Sequence, residues 1–201
     1  YGLSKEIHEK FYVGYADVKL PHKFKIGVGG CPNNCIKPDL NDLGIIGQLV
    51  PIFDEDLCNG CKKCPVENIC PMDAAKVVDG KLHIDKDVCN NCGRCVGKCH
   101  FDAIEEGRPG YKITIGGRWG KKVNKGIAIR KLFESKDEVI SIIEKMILIY
   151  REQGITGERL SDTIERIGFE NMESQLLSDE ILERKQKILD AKLHLVGGAT
   201  C

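Results

Sequence analysis

Two regular cysteine runs carry the clearest chemical signal in the sequence. The first run contains Cys58, Cys61, Cys64 and Cys70, and the second contains Cys89, Cys92, Cys95 and Cys99. Within each run the first three cysteines lie three positions apart, and the two triplets are offset by 31 residues, from 58 to 89. Three cysteines at this spacing can wrap a compact loop around three corners of one cubic iron–sulfur cluster. The spacing therefore predicts two 4Fe–4S clusters, each of which needs a fourth ligand from elsewhere in the chain.

Two other uses of the cysteines fit the sequence less well. A disulfide framework is typical of short secreted domains, whereas ten of these eleven cysteines lie between residues 31 and 99 of a charged chain of 201 residues. Structural zinc needs two Cys-x-x-Cys pairs and would leave the third cysteine of each run without a role. The eleventh cysteine, Cys201, follows Gly-Gly-Ala-Thr and is interpreted as an incidental thiol.

The segment spanning residues 51–109 resembles bacterial two-cluster ferredoxins, in which the fourth ligand of each cluster comes from the other run. It departs from their usual pattern twice. Five residues separate Cys64 from Cys70 where three are usual, which predicts a bulged loop, and His100 replaces the usual proline. The ligand sets that this resemblance implies are Cys58, Cys61, Cys64 and Cys99 for one cluster, and Cys89, Cys92, Cys95 and Cys70 for the other.

A separate pair, Cys31 and Cys35, lies in the stretch GGCPNNC before the two runs. Taken alone, this Cys-x-x-x-Cys spacing is equally consistent with two buried cysteines that bind nothing. Asn33 and Asn34 between them either serve a cofactor or simply form the turn.

Strands are predicted on both sides of the cysteine-rich segment. Phe24, Ile26 and Val28 alternate with a cationic face that carries Lys23 and Lys25, which predicts a half-buried strand. Further strands are predicted at residues 44–50, 111–115 and 126–130. If the strands before and after the segment share a sheet, the segment is a loop insertion, whose closure cost grows slowly with length.

Helices are predicted mainly after the insertion, besides a short one at residues 5–11. Ser135 and Glu138 form a capping-box pattern at the start of a long helix that ends at Gly154. Two more helices are predicted at residues 158–167 and 178–193. Together with the strands, they predict an α+β fold.

Several motifs in a fixed order carry a second resemblance: KFKIGVGGCPNNC, NDLGIIG, IGGRWGKK and GERLSDTIERIG. They resemble the carboxyl-terminal half of sirohaem-dependent sulfite and nitrite reductases, closest to the small anaerobic and dissimilatory sulfite reductases with an inserted ferredoxin. The resemblance extends to about residue 175. It implies a reductase half-domain with a mixed sheet and flanking helices, built from residues 1–50 and 110–201, with the ferredoxin domain of residues 51–109 inserted.

The resemblance also implies a catalytic centre. In this family a Cys-x5-Cys pair and a Cys-x3-Cys pair bind a third 4Fe–4S cluster, and the last cysteine bridges to the sirohaem iron. By position, Cys31 and Cys35 correspond to the second pair, with Cys35 as the bridging thiolate. No Cys-x5-Cys occurs in this sequence. We therefore interpret the sequence as a fragment that starts after that pair, with an incomplete sirohaem site.

Cationic side chains are expected around the eight carboxylates of sirohaem, and arginine suits this role because of its bidentate fork. Lys23 and Lys25 are expected to bind sulfite and assist oxygen protonation, with a solvated strand face as the alternative. The residues expected to bind the cofactor, besides the cysteine pair, are Asn33, Arg118, Lys121, Lys122 and Arg166.

The expected activity is the six-electron reduction of sulfite to sulfide, with electrons from a donor protein or subunit. Nitrite reduction and a purely electron-transferring module are the alternatives, and a homo- or hetero-oligomer fits either. The 30 basic residues balance the 30 acidic ones, which gives no sign of nucleic acid or anionic membrane partners. The longest apolar stretch, residues 146–150, is too short to span a membrane. A cytoplasmic location is expected.

Overall fold

A computed structural model of the chain describes residues 2–194. The chain folds into two units. Among the described residues, unit 1 comprises residues 2–29, 36–45 and 112–194, and unit 2 comprises residues 30–35 and 46–111. The predicted boundaries at residues 51 and 109 stay predictions, and Cys201 lies outside the described residues.

Strands and helices follow in an order typical of an α+β protein, which confirms the predicted class. The strands are β1 (Ile26–Gly29), β2 (Leu43–Pro51), β3 (Ala75–Val78), β4 (Lys81–Ile84), β5 (Gly107–Ile115) and β6 (Ile127–Phe133). The α-helices are α1 (Gly2–Ile7), α2 (Pro65–Ile69), α3 (Lys136–Gln153), α4 (Leu160–Ile167), α5 (Phe169–Leu177), α6 (Glu180–Glu183) and α7 (Lys185–Asp190). A π-helix (His8–Val13) continues α1, and a 3-10 helix (Pro38–Leu40) precedes β2.

The larger sheet has four strands in the order β1-β2-β5-β6, and β2 and β5 each run from one unit into the other. The strands predicted at residues 44–50, 111–115 and 126–130 are confirmed. The strand predicted from Lys23 begins only at Ile26, because the backbone N–H of Lys25 donates to Asp42 Oδ2 at 2.9 Å. Phe24, Ile26 and Val28 are half-buried.

The long helix α3 organises the core of unit 1. Its predicted capping box is confirmed: Glu138 N–H donates to Ser135 Oγ at 3.1 Å, and Ser135 N–H donates to the Glu138 carboxylate at 3.2 Å. The helix ends before Gly154, as predicted. It packs against β6 and against α4, α5, α6 and α7. The buried apolar stripe of α3 contains Val139, Ile142, Ile143, Met146, Ile149 and Tyr150.

The end of the chain differs from the prediction. Helix α4 confirms the helix expected at residues 158–167, although Arg159 is its extended N-cap. Helix α5 was not predicted, and Gly168, with φ +89°, makes the turn into it in the left-handed region that favours glycine. The single helix predicted at residues 178–193 is wrong, because the chain leaves helical geometry at Arg184 (φ −103°, ψ 15°) and forms α6 and α7 instead.

Unit 2 is built around the cysteine runs. Strands β3 and β4 form an antiparallel hairpin whose turn residues, Asp79 and Gly80, both have positive φ, as a type I′ turn requires. The five residues between Cys64 and Cys70 form α2, so the predicted bulge is a single helical turn that starts at a proline. The core contains Val66, Ala75, Leu82, Ala103 and Ile104 together with Cys58 and Cys64.

Candidate iron–sulfur and cofactor sites

Four cysteines from both runs meet in unit 2. Cys70 of the first run lines one cavity with Cys89, Cys92 and Cys95 of the second. Burial, together with the charges of the other three sulfurs, raises the pKa of the Cys95 thiol to about 11. Four thiolates brought together in a partly buried place repel one another unless they share a cationic ligand. The donor set therefore fits a 4Fe–4S cluster.

The second predicted set lies in the hydrophobic core of the same unit. Cys58 and Cys64 are buried, and Cys99 is partly buried and packs against that core. Cys61, the remaining member of the set, is also partly buried. The backbone N–H of Leu82 points at Cys58 Sγ, 3.4 Å away. Hydrogen bonds to sulfur are one of the means by which proteins set a cluster's potential.

Among residues 2–194, no three His, Cys, Asp or Glu side chains converge as ligands of a single metal ion. A cluster distributes its cysteines over four irons, so its fit rests on the shared cavity and not on such convergence.

Left-handed residues turn the backbone around the cysteines. Gly60 (φ +59°) and Gly93 (φ +69°) are two of these left-handed residues. The structure adds Asp73 (φ +53°) and Asp102 (φ +57°), each the third residue after the last cysteine of its run. The two cysteine runs are therefore a duplication that extends, in backbone conformation, beyond the cysteines themselves.

Cys31 and Cys35 are both exposed, which contradicts the burial expected of two cysteines that bind nothing. Asn34 (φ +56°) turns the chain between them and donates its N–H to the Cys31 carbonyl at 3.4 Å, while Asn33 is exposed. This segment belongs to unit 2, whereas all the lysines and arginines expected at the cofactor belong to unit 1.

The two candidate catalytic lysines are exposed and held differently. Lys23 lines a groove of about 700 Å³ along α1 and the π-helix, together with His22 and Phe24. The backbone of Lys25 is held by two hydrogen bonds. Its N–H donates to Asp42 Oδ2 at 2.9 Å, and its carbonyl accepts from Leu43 N–H at 3.1 Å.

Arg118 and Lys122 line a second cavity in unit 1, of about 490 Å³, together with Asp162, Glu165 and Phe169. The Arg118 guanidinium lies 3.4 Å from both carboxylate oxygens of Asp162. Backbone hydrogen bonds in both directions between positions 118 and 124 close the loop that carries these side chains. Lys121 is exposed on the same loop.

Arg166, also expected to bind the cofactor, instead contacts Glu158 and Gln153 of the protein. Its guanidinium donates to both carboxylate oxygens of Glu158, at 3.0 and 2.9 Å, and to the Gln153 carbonyl at 2.6 Å. The hydrogen bond from Arg166 lowers the pKa of Glu158 to about 2, despite partial burial. In this structure Arg166 therefore connects the last turn of α4 to Glu158 and Gln153, which precede that helix.

Sequence reasoning missed a buried ion pair between Asp42 and Arg159. Arg159 Nη2 donates to both carboxylate oxygens of Asp42, at 2.8 and 2.7 Å, and the side chains of Arg159 and Asp42 are 7% and 0% exposed. The one sequence feature that pointed to this ion pair was the acidic residue Asp42 in NDLGIIG, directly before an apolar strand. No pattern in the sequence indicates that its partner lies 117 residues later.

Comparison with known proteins shows the family to which the chain belongs. A family model described as nitrite and sulphite reductase 4Fe-4S domain matches residues 1–185. The chain belongs to this family. A curated relative, the coenzyme F420-dependent sulfite reductase of Methanocaldococcus jannaschii, is 34% identical over 151 residues, which is 74% of this chain and 24% of that protein.

Two further proteins are similar to this reductase-family chain. One subunit of the anaerobic sulfite reductase of Salmonella typhimurium is 38% identical over 63 residues, which is 31% of this chain and 17% of that protein. The crystal structure of dissimilatory sulfite reductase I shares the fold with a TM-score of 0.55 at 24% identity, covering 78% of this chain and 43% of that one. The chain thus spans about a quarter or less of the length of the F420-dependent sulfite reductase and of the Salmonella subunit.

Within residues 2–194, no helix is both long and apolar enough to cross a bilayer.

Proposed function

We propose that this chain is the cofactor-binding, carboxyl-terminal part of a sirohaem-dependent sulfite reductase, with a two-cluster ferredoxin inserted over residues 51–109. The observation that carries the proposal is the cavity in which Cys70 of the first run meets Cys89, Cys92 and Cys95 of the second. Exchange of the fourth ligand between runs is what a two-cluster ferredoxin requires. Family membership and the named activity of the F420-dependent relative support sulfite as the substrate.

The cysteines divide into relaying and catalytic groups. Each of the two sets in unit 2 would hold one 4Fe–4S cluster, which would supply single-electron transfer from a donor protein or subunit. Cys31 and Cys35 are exposed and therefore accessible as ligands of a third 4Fe–4S cluster, with Cys35 as the thiolate shared with the sirohaem iron. Sirohaem, when bound, supplies the iron at which sulfite is reduced.

The cationic residues of unit 1 would orient the cofactor and the substrate. Arg118, Lys121 and Lys122 sit on one loop, where they can pair with cofactor carboxylates. Asn33 would donate from the turn between the cysteines, and Arg166 would take part only by leaving Glu158. Lys23 and Lys25 would bind the sulfite oxygens, stabilise their charge and deliver protons as the oxygens depart.

The test uses the full-length gene product, made anaerobically with a supply of sirohaem. We expect sirohaem absorption bands beside broad iron–sulfur absorption, and formation of sulfide when a reduced dye is oxidised by sulfite. Iron–sulfur absorption without sirohaem bands would overturn the reductase and leave an electron-transfer module. Faster turnover of nitrite than of sulfite would reassign the substrate.

Assembly and location form part of the proposal. The relative from Salmonella is named as a subunit, which supports work within a larger complex. We propose that the chain acts in the cytoplasm, where reduced electron donors are available.

A further inference from the structure

We infer that Asp42, Arg159 and Asp162 form a network that positions Lys25 and Arg118 relative to each other. The inference rests on the proposed function, because it assigns a use to the two cations that the proposal places at substrate and cofactor. All five residues belong to unit 1. Asp42, Arg159 and Asp162 are positioning residues, since they act through Lys25 and Arg118.

The first arm of the network ends on the backbone of Lys25. Asp42 is fully buried, and its Oδ2 accepts two hydrogen bonds, from Arg159 Nη2 at 2.7 Å and from Lys25 N–H at 2.9 Å. A buried carboxylate with a charged partner has one preferred orientation, because any rotation leaves a charge unpaired away from water. Arg159 therefore fixes the carboxylate, and the carboxylate fixes the peptide from which the Lys25 side chain emerges.

The arrangement is specific to Lys25. Its carbonyl accepts a hydrogen bond from Leu43 N–H at 3.1 Å, while its own N–H donates to Asp42, so two residues distant in sequence hold the backbone of Lys25. The amide of Lys23, by contrast, donates to the ring of its neighbour His22 at 2.7 Å. Of the two lysines, Lys25 is therefore the one whose position is tied to α4 through Arg159.

The second arm ends on the side chain of Arg118. Arg159 N–H donates to Asp162 Oδ2 at 3.2 Å, and the Asp162 carboxylate accepts the Arg118 guanidinium at 3.4 Å. Asp162 and Arg118 are 42% and 22% exposed, so water and anions reach this pair, unlike the buried pair of the first arm. Asp162 thus orients the Arg118 guanidinium, and an anionic ligand can take the place of Asp162.

Arg159 joins the two arms through different atoms, its guanidinium for Asp42 and its amide for Asp162. Arg159 is the N-cap of α4. A displacement of that helix would therefore move the contact to Asp42 and the contact to Asp162 together. Arg159 therefore links the anchor of Lys25 to the anchor of Arg118, and itself need not touch substrate.

The first experiment measures hydrogen–deuterium exchange on the full-length protein, which needs no bound cofactor. Asp42→Asn is compared with Glu144→Gln, a matched control that neutralises another partly buried, multiply hydrogen-bonded carboxylate of unit 1. We expect exchange at the Lys25 amide to accelerate at least about tenfold in Asp42→Asn only. Unchanged exchange at Lys25, or equal acceleration across unit 1 in both variants, would overturn the inference.

The second experiment measures coupling through sulfite binding to the loaded enzyme, followed by its absorption spectrum. Asp42→Asn and Lys25→Met should each weaken binding by about tenfold, and the double variant should be no weaker than Lys25→Met alone. Additive losses would overturn the inference. If Lys25→Met leaves binding unchanged while exchange at Lys25 still responds to Asp42→Asn, the proposed role of Lys25 fails and the positioning contact stands.

Discussion

Gly60 and Asn91 occupy the same backbone position in the two cysteine loops, with φ of +59° and +55°. Each stands directly before the second cysteine of its triplet, and they lie 31 positions apart, from 60 to 91. The duplication therefore retains a left-handed residue where its sequence does not retain a glycine. Asparagine is one of the few other residues that adopt this conformation readily.

The two positions should differ in their tolerance of side chains. A Cβ at Gly60 would collide with the backbone of Gly80, whereas position 91 already carries a side chain. Gly60→Ala should therefore destabilise unit 2 by about 2 kcal/mol or more and reduce its iron content. Asn91→Gly should change the free energy of unfolding by less than about 1 kcal/mol. Thermal unfolding and iron analysis measure both effects, and equal losses in the two variants would contradict this account.

Exchange of ligands between the two cysteine runs predicts which cluster each serine variant removes. Cys70→Ser should disrupt the cluster held by Cys89, Cys92 and Cys95, because Cys70 lines the same cavity as these three cysteines. Cys99→Ser should disrupt the other cluster. Each variant should lose up to about half of the ferredoxin-type iron, and electron paramagnetic resonance should show a different remaining cluster in each. Loss of the cluster held by Cys58, Cys61 and Cys64 in Cys70→Ser, recognised because Cys61→Ser loses the same signal, would show that each run supplies all its own ligands.

Sequence reasoning succeeded where the controlling contacts are local. The cysteine spacing, the capping box of Ser135 and Glu138, and the strands at residues 44–50 and 111–115 depend on neighbours within a few positions. It failed where contacts come from far along the chain. The shortening of β1 depends on Asp42, and the role of Asp42 depends on Arg159, 117 residues later. The break at Arg184 likewise has no glycine or proline to mark it.

The capping box of α3 should contribute measurably to stability. Ser135→Ala removes the oxygen that accepts Glu138 N–H at 3.1 Å, and should lower the free energy of unfolding by about 1 kcal/mol. Ser141→Ala makes the same substitution within the helix, where alanine is favoured, and should be neutral or slightly stabilising. Urea denaturation followed by circular dichroism compares the two. An equal effect of both substitutions would mean that the cap is not the cause.

Glu144 should make unit 1 sensitive to acid. Burial alone would raise the pKa of Glu144, but hydrogen bonds from Lys185, Tyr15 and Lys10 lower it to about 2. Because this pKa is below that of an unfolded glutamate, near 4.3, the ionised carboxylate stabilises the fold fully above about pH 5. That contribution is lost as the pH falls from about 4.5 toward 2.

The variant Glu144→Gln isolates this effect, because it cannot ionise. At pH 6 it should be less stable than the wild type by about 1 to 2 kcal/mol, a figure reduced for the exposure of Lys10 and Lys185. The difference should shrink as the pH falls toward about 3, since the glutamate of the unfolded wild type, with a pKa near 4.3, is then protonated and favours unfolding. Urea midpoints measured across this range provide the comparison. A difference that stays constant would show that packing of the side chain, and not its charge, stabilises the fold.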